Sequence, residues 1–161
     1  MSRYSFLGRL INPQDYSNDT SHISNIYNNI VFLGSQYSTD SNIINKFNIS
    51  HIISIGSSPL QVSPNIKYFK FEAEDNGDPT NVSIFFTQTI PKIHSIINEC
   101  VKNGTPVLVH CIAGKSRSAS AIITWLMKTK SMTYSDAFYY VKDKRPVISP
   151  NISVIDYMQK I

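Results

Sequence analysis

Residues 106–127 read Pro-Val-Leu-Val-His-Cys-Ile-Ala-Gly-Lys-Ser-Arg-Ser-Ala-Ser-Ala-Ile-Ile-Thr-Trp-Leu-Met. Pro106 to His110 is a short, valine-rich apolar run of the kind that fills a buried strand. From about Ser116 to Lys128 the apolar residues recur at helical spacing, with Ala119, Ile122, Ile123 and Leu126 turned inward. The few residues between them leave room only for a tight curl. A strand feeding a helix through a short loop is the repeating unit of an α/β domain. Such domains place their chemistry just past the C-terminal end of a central strand, where Cys111 stands.

Working outward, the rest of the chain keeps the alternation. Ile23 to Tyr27 and Ile30 to Leu33 flank Asn28-Asn29 and read as a hairpin, with Gly34 closing the second strand. Ser38 to Phe47 reads as a helix with a Ser or Thr N-cap. His51 to Ile55 and Ile66 to Phe71 read as strands. Glu72 to Asn81, with four acidic residues, Gly77 and Pro79, reads as a loop. Val82 to Val101 has helical periodicity, and Pro91 is expected to kink or split it near Ile90. Asn103-Gly104 ends it. Thr133 caps a further helix that stops before Pro146, and Ser149-Pro150 is expected to supply the N-cap and first residue of a last helix. The expected fold is therefore α/β: a single domain with a central mixed sheet of about five strands flanked by helices. Residues 1–22 read as a polar N-terminal arm and residues 23–161 as the folded domain.

Composition narrows the function classes. At 161 residues, 42% hydrophobic and 16% charged, the chain suits one folded domain and is too apolar for a disordered one. No apolar run is long enough to cross a bilayer, and no signal peptide is read at the start, so a reducing, cytoplasmic setting, with the nucleus also open, is expected for Cys100 and Cys111. The net charge of +4 favours phosphorylated partners or a solvated basic face. No nucleic-acid recognition motif accompanies it, so no nucleic-acid partner is expected. Gly114-Lys115-Ser116 imitates the end of a nucleotide-binding phosphate loop, but Val109 stands where that motif needs its first glycine.

Cys111 and Arg117 are separated by Ile112, Ala113, Gly114, Lys115 and Ser116. Five residues can curl so that their amides point inward, and with a helix N-terminus behind them they form a nest for a dianion such as phosphate. Gly114 permits the curl, and Arg117 can grip two phosphate oxygens. The same field lowers a thiol from about 8.5 into the range of roughly 3.5–7.5, which makes Cys111 a nucleophile at neutral pH.

The segment His110-Cys-x-x-Gly-x-x-Arg-Ser118 matches the signature of the protein tyrosine phosphatase superfamily. Ile30 to Ser35, Ser118 to Met127 and Arg145-Pro-Val-Ile-Ser-Pro-Asn151 resemble segments of its dual-specificity branch, in order and spacing, so the chain looks like a small atypical member over about residues 23–161. The resemblance implies Cys111 as nucleophile, Arg117 as phosphate clamp, Ser118 easing departure of the thiolate, and His110 shaping the phosphate-binding loop. It implies a general acid before the long helix, which Asp75 fits best, with Asp78 the alternative. Asn151 is either a helix-terminus residue or a support for the loop. No metal or other cofactor is required.

The implied substrates are phosphorylated proteins. Lys115 leaves a phosphoinositide or RNA 5′-phosphate open, although Ile112 fills a position where inositol-lipid phosphatases tend to carry lysine. A phosphoprotein-binding module without turnover is the other alternative, and the chain keeps the Cys111 and Arg117 that such relatives usually lose. Cys100 reads as a core residue. His22, His51 and His94 read as structural or surface groups, and Lys142, Lys144 and Arg145 as a solvated helix end favoured by the dipole. Oligomeric state is not legible in the sequence.

Overall fold

In a computed structural model, which describes residues 22–161, the strands are β1 (Ile23–Tyr27), β2 (Val31–Gly34), β3 (His51–Ile55), β4 (Lys67–Phe71) and β5 (Val107–His110). They form one sheet in the order β1-β2-β5-β3-β4. β1 runs antiparallel to β2, and the remaining neighbours are parallel, so the sheet is mixed. β5, last in the chain, is slotted between β2 and β3, and all four of its residues have no exposed surface. The continuous apolar run is thus explained: a central strand in a parallel sheet has helices on both faces. Apart from His22, the expected arm at residues 1–22 lies outside the described residues.

The hairpin forms as expected. Asn28 and Asn29 both take positive φ, 52° and 58°, and the Ile30 amide donates to the Tyr27 carbonyl at 2.9 Å. Two left-handed central residues make the type I′ turn that matches strand twist, and asparagine tolerates that region better than most residues.

The helices are α1 (Ser41–Lys46), α2 (Pro79–Ile84), α3 (Ile90–Asn103), α4 (Arg117–Thr129), α5 (Tyr134–Lys144) and α6 (Ile152–Gln159). The pleat of the sheet sorts its side chains onto two faces. Val31, Leu33, Ile53, Ile55, Val107 and Val109 join residues of α2 to α6 in the larger core. Phe32, Ile52 and Leu108 turn the other way, against Ile43 and Ile44 of α1. α4 lies deepest, with every residue from Ser118 to Leu126 buried. Its Ser120 and Thr124 hydroxyls donate to carbonyls one turn back, at 2.7 and 2.8 Å, so neither polar group is stranded in the core.

Several boundaries differ from expectation. Residues Gln36–Thr39 form a 3₁₀ turn, and the cap of α1 is Asp40, which accepts from the Asn42 amide. Ser38 and Thr39 do not cap it because their hydroxyls donate backward, to the carbonyls of Ser35 and Gln36. The loop expected to run to Asn81 ends earlier: Asp78 caps α2 by accepting from the Thr80 amide at 3.0 Å, and Pro79 follows as first helical residue. The split near Ile90 is present. A π-helical turn, Phe85–Thr89, joins α2 to α3 just ahead of Pro91, whose missing N–H breaks the ordinary ladder. α6 is capped by Asn151, whose side chain accepts from the Ser153 amide, and not by Ser149. The Ser149 amide is instead drawn toward the loop after β5, where it donates to the Lys115 carbonyl.

Candidate active site

β5 delivers Cys111 at its C-terminal end, and α4 begins at Arg117. The loop between them is held from outside by its carbonyls. The Cys111 carbonyl accepts from His110 Nδ1 at 3.0 Å and that of Ile112 from the Gln36 amide at 2.9 Å. Those of Ala113 and Gly114 accept from Arg145 Nη2 and Nε, at 3.3 and 2.8 Å. Those of Lys115 and Ser116 accept from the Ser149 and Ser120 amides. In a trans peptide the N–H points opposite to its C=O. Anchoring each carbonyl from Cys111 to Ser116 outward therefore turns the amides of residues 112–117 toward the interior of the curl. Gly114 makes this possible. Its φ is +67°, and a Cβ there would lie 2.6 Å from the Gly34 carbonyl carbon and oxygen on β2.

Cys111 is 2% exposed, and its Sγ lies 3.1 Å from Ser118 Oγ. Burial alone pushes its thiol pKa up. The Ser118 hydroxyl and amide, the Arg117 guanidinium and the Gly114 amide more than offset burial and hold it below its ordinary value. His110 is fully buried beneath the loop, with Nε2 2.6 Å from Ser54 Oγ and Nδ1 also 3.3 Å from Ser57 Oγ. Burial lowers its pKa to about 4, against the raising effect of the Cys111 carbonyl, so the ring is neutral near pH 7. A carbonyl only accepts, so Nδ1 carries the proton and Nε2 accepts from Ser54. The ring thus fixes the strand-to-loop peptide without adding charge beside the Cys111 sulfur.

Arg117 crosses to the β3 side, donating through Nη1 to the carbonyls of Gly56 and Ala73 at 3.3 and 3.1 Å. Its Nε is buried without a hydrogen-bond acceptor, the Asp75 carboxylate standing 3.9 Å away. A buried guanidinium N–H left over in a ring of inward amides is the donor an incoming oxyanion would take up. The two acidic candidates separate here. Asp75 reaches the loop, with Oδ1 3.3 Å from Ser116 Oγ, whereas Asp78 is committed to the α2 cap. The Asn151 side chain caps α6 by accepting from the Ser153 amide, and its backbone amide donates to Ser116 Oγ at 3.0 Å.

One residue corrects the sequence reading outright. Arg145 is no solvated helix end. It is 3% exposed, and its guanidinium holds the Gly114 and Ala113 carbonyls while Nη1 donates to Ser24. Pro146 pushes Arg145 out of helical geometry at the end of α5, and the contact of its guanidinium with the loop is set by the fold. Lys142 is likewise engaged, donating to the Ile148 carbonyl. Cys100 faces the core from α3, and burial pushes its thiol up to about 11, so it is no rival nucleophile. Among the described residues no group of three or more His, Cys, Asp and Glu is placed to hold a metal, and no helix is long and apolar enough to cross a membrane.

Comparison with known proteins adds an independent line. The family model described as "Dual specificity phosphatase, catalytic domain" matches residues 31–160. The chain is 33% identical over 132 residues to "Dual specificity protein phosphatase 1" of Arabidopsis thaliana, covering 81% of this chain and 65% of that protein. It is 36% identical over 118 residues to a probable rhodanese domain-containing dual specificity protein phosphatase of Dictyostelium discoideum, covering 70% of this chain and 24% of that protein. The chain therefore spans less than two thirds of either relative's length. Among solved structures, the human tyrosine phosphatase-like serine/threonine/tyrosine-interacting protein superposes with a TM-score of 0.74 at 29% identity, over 87% of this chain and 95% of that one.

Proposed function

Because the chain belongs to the dual specificity phosphatase catalytic-domain family, we propose that it hydrolyses phosphotyrosine and phosphoserine or phosphothreonine in proteins through a phosphocysteine intermediate on Cys111. The observation that supports this most is the set of outward-anchored carbonyls, which turns a run of amides onto the space above Cys111 Sγ. In the first step the thiolate attacks phosphorus in line with the ester oxygen, and the P–O bond to the side chain breaks. Asp75 gives its proton to the departing oxygen, because an alkoxide or phenolate leaves poorly unprotonated. Meanwhile the inward amides and Arg117 hold the equatorial oxygens. In the second step Asp75, now a carboxylate, takes a proton from water as the water oxygen bonds to phosphorus. The P–S bond breaks, inorganic phosphate departs, and the sulfur leaves as a thiolate toward the Ser118 hydroxyl, 3.1 Å away. No metal or cofactor enters either step. A reducing compartment such as the cytoplasm suits a nucleophile of this kind.

The protein reading is preferred over a phosphoinositide or RNA 5′-phosphate because the loop offers one lysine, Lys115, while Ile112 is half exposed and apolar. A binding module without turnover would not need a thiol whose pKa is lowered by four separate donors and charges. Phosphate release from para-nitrophenyl phosphate, phosphopeptides and phosphoinositides tests the reading. Wild-type protein should release phosphate from the aryl ester and the peptides, and Cys111→Ser should release none while still binding phosphopeptide. Turnover retained in Cys111→Ser would overturn the mechanism, and a strong preference for lipid would overturn the substrate class.

A further inference from the structure

Ser116 occupies the N-cap position of α4, yet its side chain makes no capping hydrogen bond. Serine at that position ordinarily accepts from an amide in the first turn. Here the residue is 8% exposed and its hydroxyl is committed elsewhere. The Asn151 amide donates to Ser116 Oγ at 3.0 Å, and the same Oγ lies 3.3 Å from Asp75 Oδ1. An amide can only donate, so Oγ is the acceptor in the first contact. Its own hydrogen is then left for the carboxyl oxygen, giving a directed chain from Asn151 N–H through the Ser116 hydroxyl to Asp75 Oδ1.

On the reading that Asp75 is the general acid, we propose that Ser116 is a positioning residue for that acid. It pins Oδ1, so that Oδ2 is the atom that carries and delivers the proton. Oδ1 is taken up by the Ser116 hydrogen, whereas Arg117 Nε, at 3.9 Å, is too far from Oδ2 to hold it by a hydrogen bond, so Oδ2 is the oxygen left to carry the acidic proton. Oδ2 is also the oxygen that faces Arg117 Nε, at 3.9 Å. A phosphate gripped by that guanidinium would present its leaving oxygen on the same side. The tether starts from a firm base, because the Ser116 carbonyl accepts both the amide and the hydroxyl of Ser120. The acid segment is braced a second time at Gly77. With φ +76° it packs so closely on the start of α6 that a Cβ would lie 3.2 Å from Ser153 Oγ and 3.4 Å from Asn151 Oδ1. The loop that carries the acid and the loop that carries the nucleophile are thus joined through the first residues of α6.

The test is a series of aryl phosphates with leaving groups from acidic to weakly acidic phenols, measured on wild type, Ser116→Ala, Ser116→Thr, Asp75→Asn and the Ser116→Ala/Asp75→Asn pair. Ser116→Ala should lose about tenfold in kcat/KM on the poorest leaving groups, part of the roughly 10²–10⁴-fold that general acid catalysis supplies. It should lose less than about threefold on para-nitrophenyl phosphate, and Ser116→Thr should restore the wild-type slope. In the Asp75→Asn background, Ser116→Ala should add no further dependence on the leaving group. Orthovanadate inhibition, which reads the phosphate loop alone, should stay within about twofold. Equal losses across all leaving groups, with weakened vanadate inhibition, would show that Ser116 only shapes the loop and would overturn the proposal. Absence of turnover by wild type on every substrate would sink the phosphatase reading instead. Amide hydrogen exchange over residues 74–78 then judges the tether by itself: faster exchange in Ser116→Ala supports it, and unchanged exchange overturns it.

Discussion

Removing the Arg145 guanidinium is expected to damage the phosphate loop and the stability of the chain together. Arg145 is 3% exposed and donates to the Gly114 carbonyl at 2.8 Å, the Ala113 carbonyl at 3.3 Å and Ser24 Oγ at 3.3 Å. Hydrogen bonds from a charged donor contribute about 1.5–3 kcal/mol each, and a buried carbonyl left without a donor costs a further part of that. Taking the short bond at its full value and the two longer ones as weak gives a loss of about 3 kcal/mol for Arg145→Ala. For a domain of this size that corresponds to a fall in Tm of roughly 6–12 °C. Arg145→Lys should recover part of the loss, because one ammonium cannot serve two carbonyls in the fixed geometry of a guanidinium fork. The consequence for the site is specific. Without their outward anchors the peptide planes after Ala113 and Gly114 can turn, and their amides leave the ring. Thermal unfolding and orthovanadate inhibition, measured on the same preparations, should therefore fall in parallel from wild type to lysine to alanine. A Tm within about 2 °C of wild type would refute the energetic reasoning. A large fall in Tm with unchanged vanadate affinity would refute the claim that Arg145 orients the loop.

Asp75→Asn should slow hydrolysis of poor leaving groups by about 10²–10⁴-fold while sparing good ones. Asp78→Ala should instead lower stability by about 1 kcal/mol through loss of the α2 cap, with the leaving-group slope unchanged; the reverse pattern in kinetics and melting would exchange the two assignments. Iodoacetate at mildly acidic pH should alkylate Cys111 and leave Cys100 intact, since one thiol is held below its ordinary pKa and the other is pushed up to about 11; mass spectrometry showing equal labelling would contradict this. His94 and His110 are both lowered from 6.5 to about 4, chiefly by burial, so the unfolded chain binds protons in that window that the folded chain does not. Stability should be full above about pH 6.5 and decline as pH falls toward 4. Each histidine lowers stability by up to about 3.5 kcal/mol once the pH is below its folded-state value of about 4. Urea unfolding across this range checks it, and a flat profile would be inconsistent with buried neutral rings.

The parts of this protein that were legible in its sequence are those set by neighbours along the chain. The strand–curl–helix from Val107 to Leu126 could be read because a five-residue spacing between Cys111 and Arg117 admits few conformations, and Gly114 marks where the backbone must take positive φ. The Asn28-Asn29 turn could be read for the same local reason. What was not legible depends on groups far apart in the chain. Asp75 and Asp78 are equivalent in composition, and only the fold shows that one oxygen is spent on the Thr80 amide while the other reaches Ser116. The Asp-Pro pair at 78–79 carried that message as a helix-start signal, but it was outweighed by the Gly and acidic residues around it. Arg145 was misjudged because a basic residue at a helix end is usually solvated. Its burial follows from the meeting of the chain after α5 with a loop formed some thirty residues earlier.

The position of β5 has a bearing on how the protein is made. Val107 must find Val31 on one side and His51 on the other before the sheet closes. Those partners are synthesised long beforehand, and closing such distant pairs is the slow part of folding an α/β chain. Cys111 follows the last of these pairings by one residue, and its low pKa depends on Ser118, Arg117 and Gly114, which reach their places only after the strand has docked. On a nascent or partly folded chain the sulfur is therefore an ordinary thiol, slow toward oxidants and electrophiles near neutral pH. On the proposed mechanism, the reactivity of Cys111 is therefore acquired only as the fold is completed.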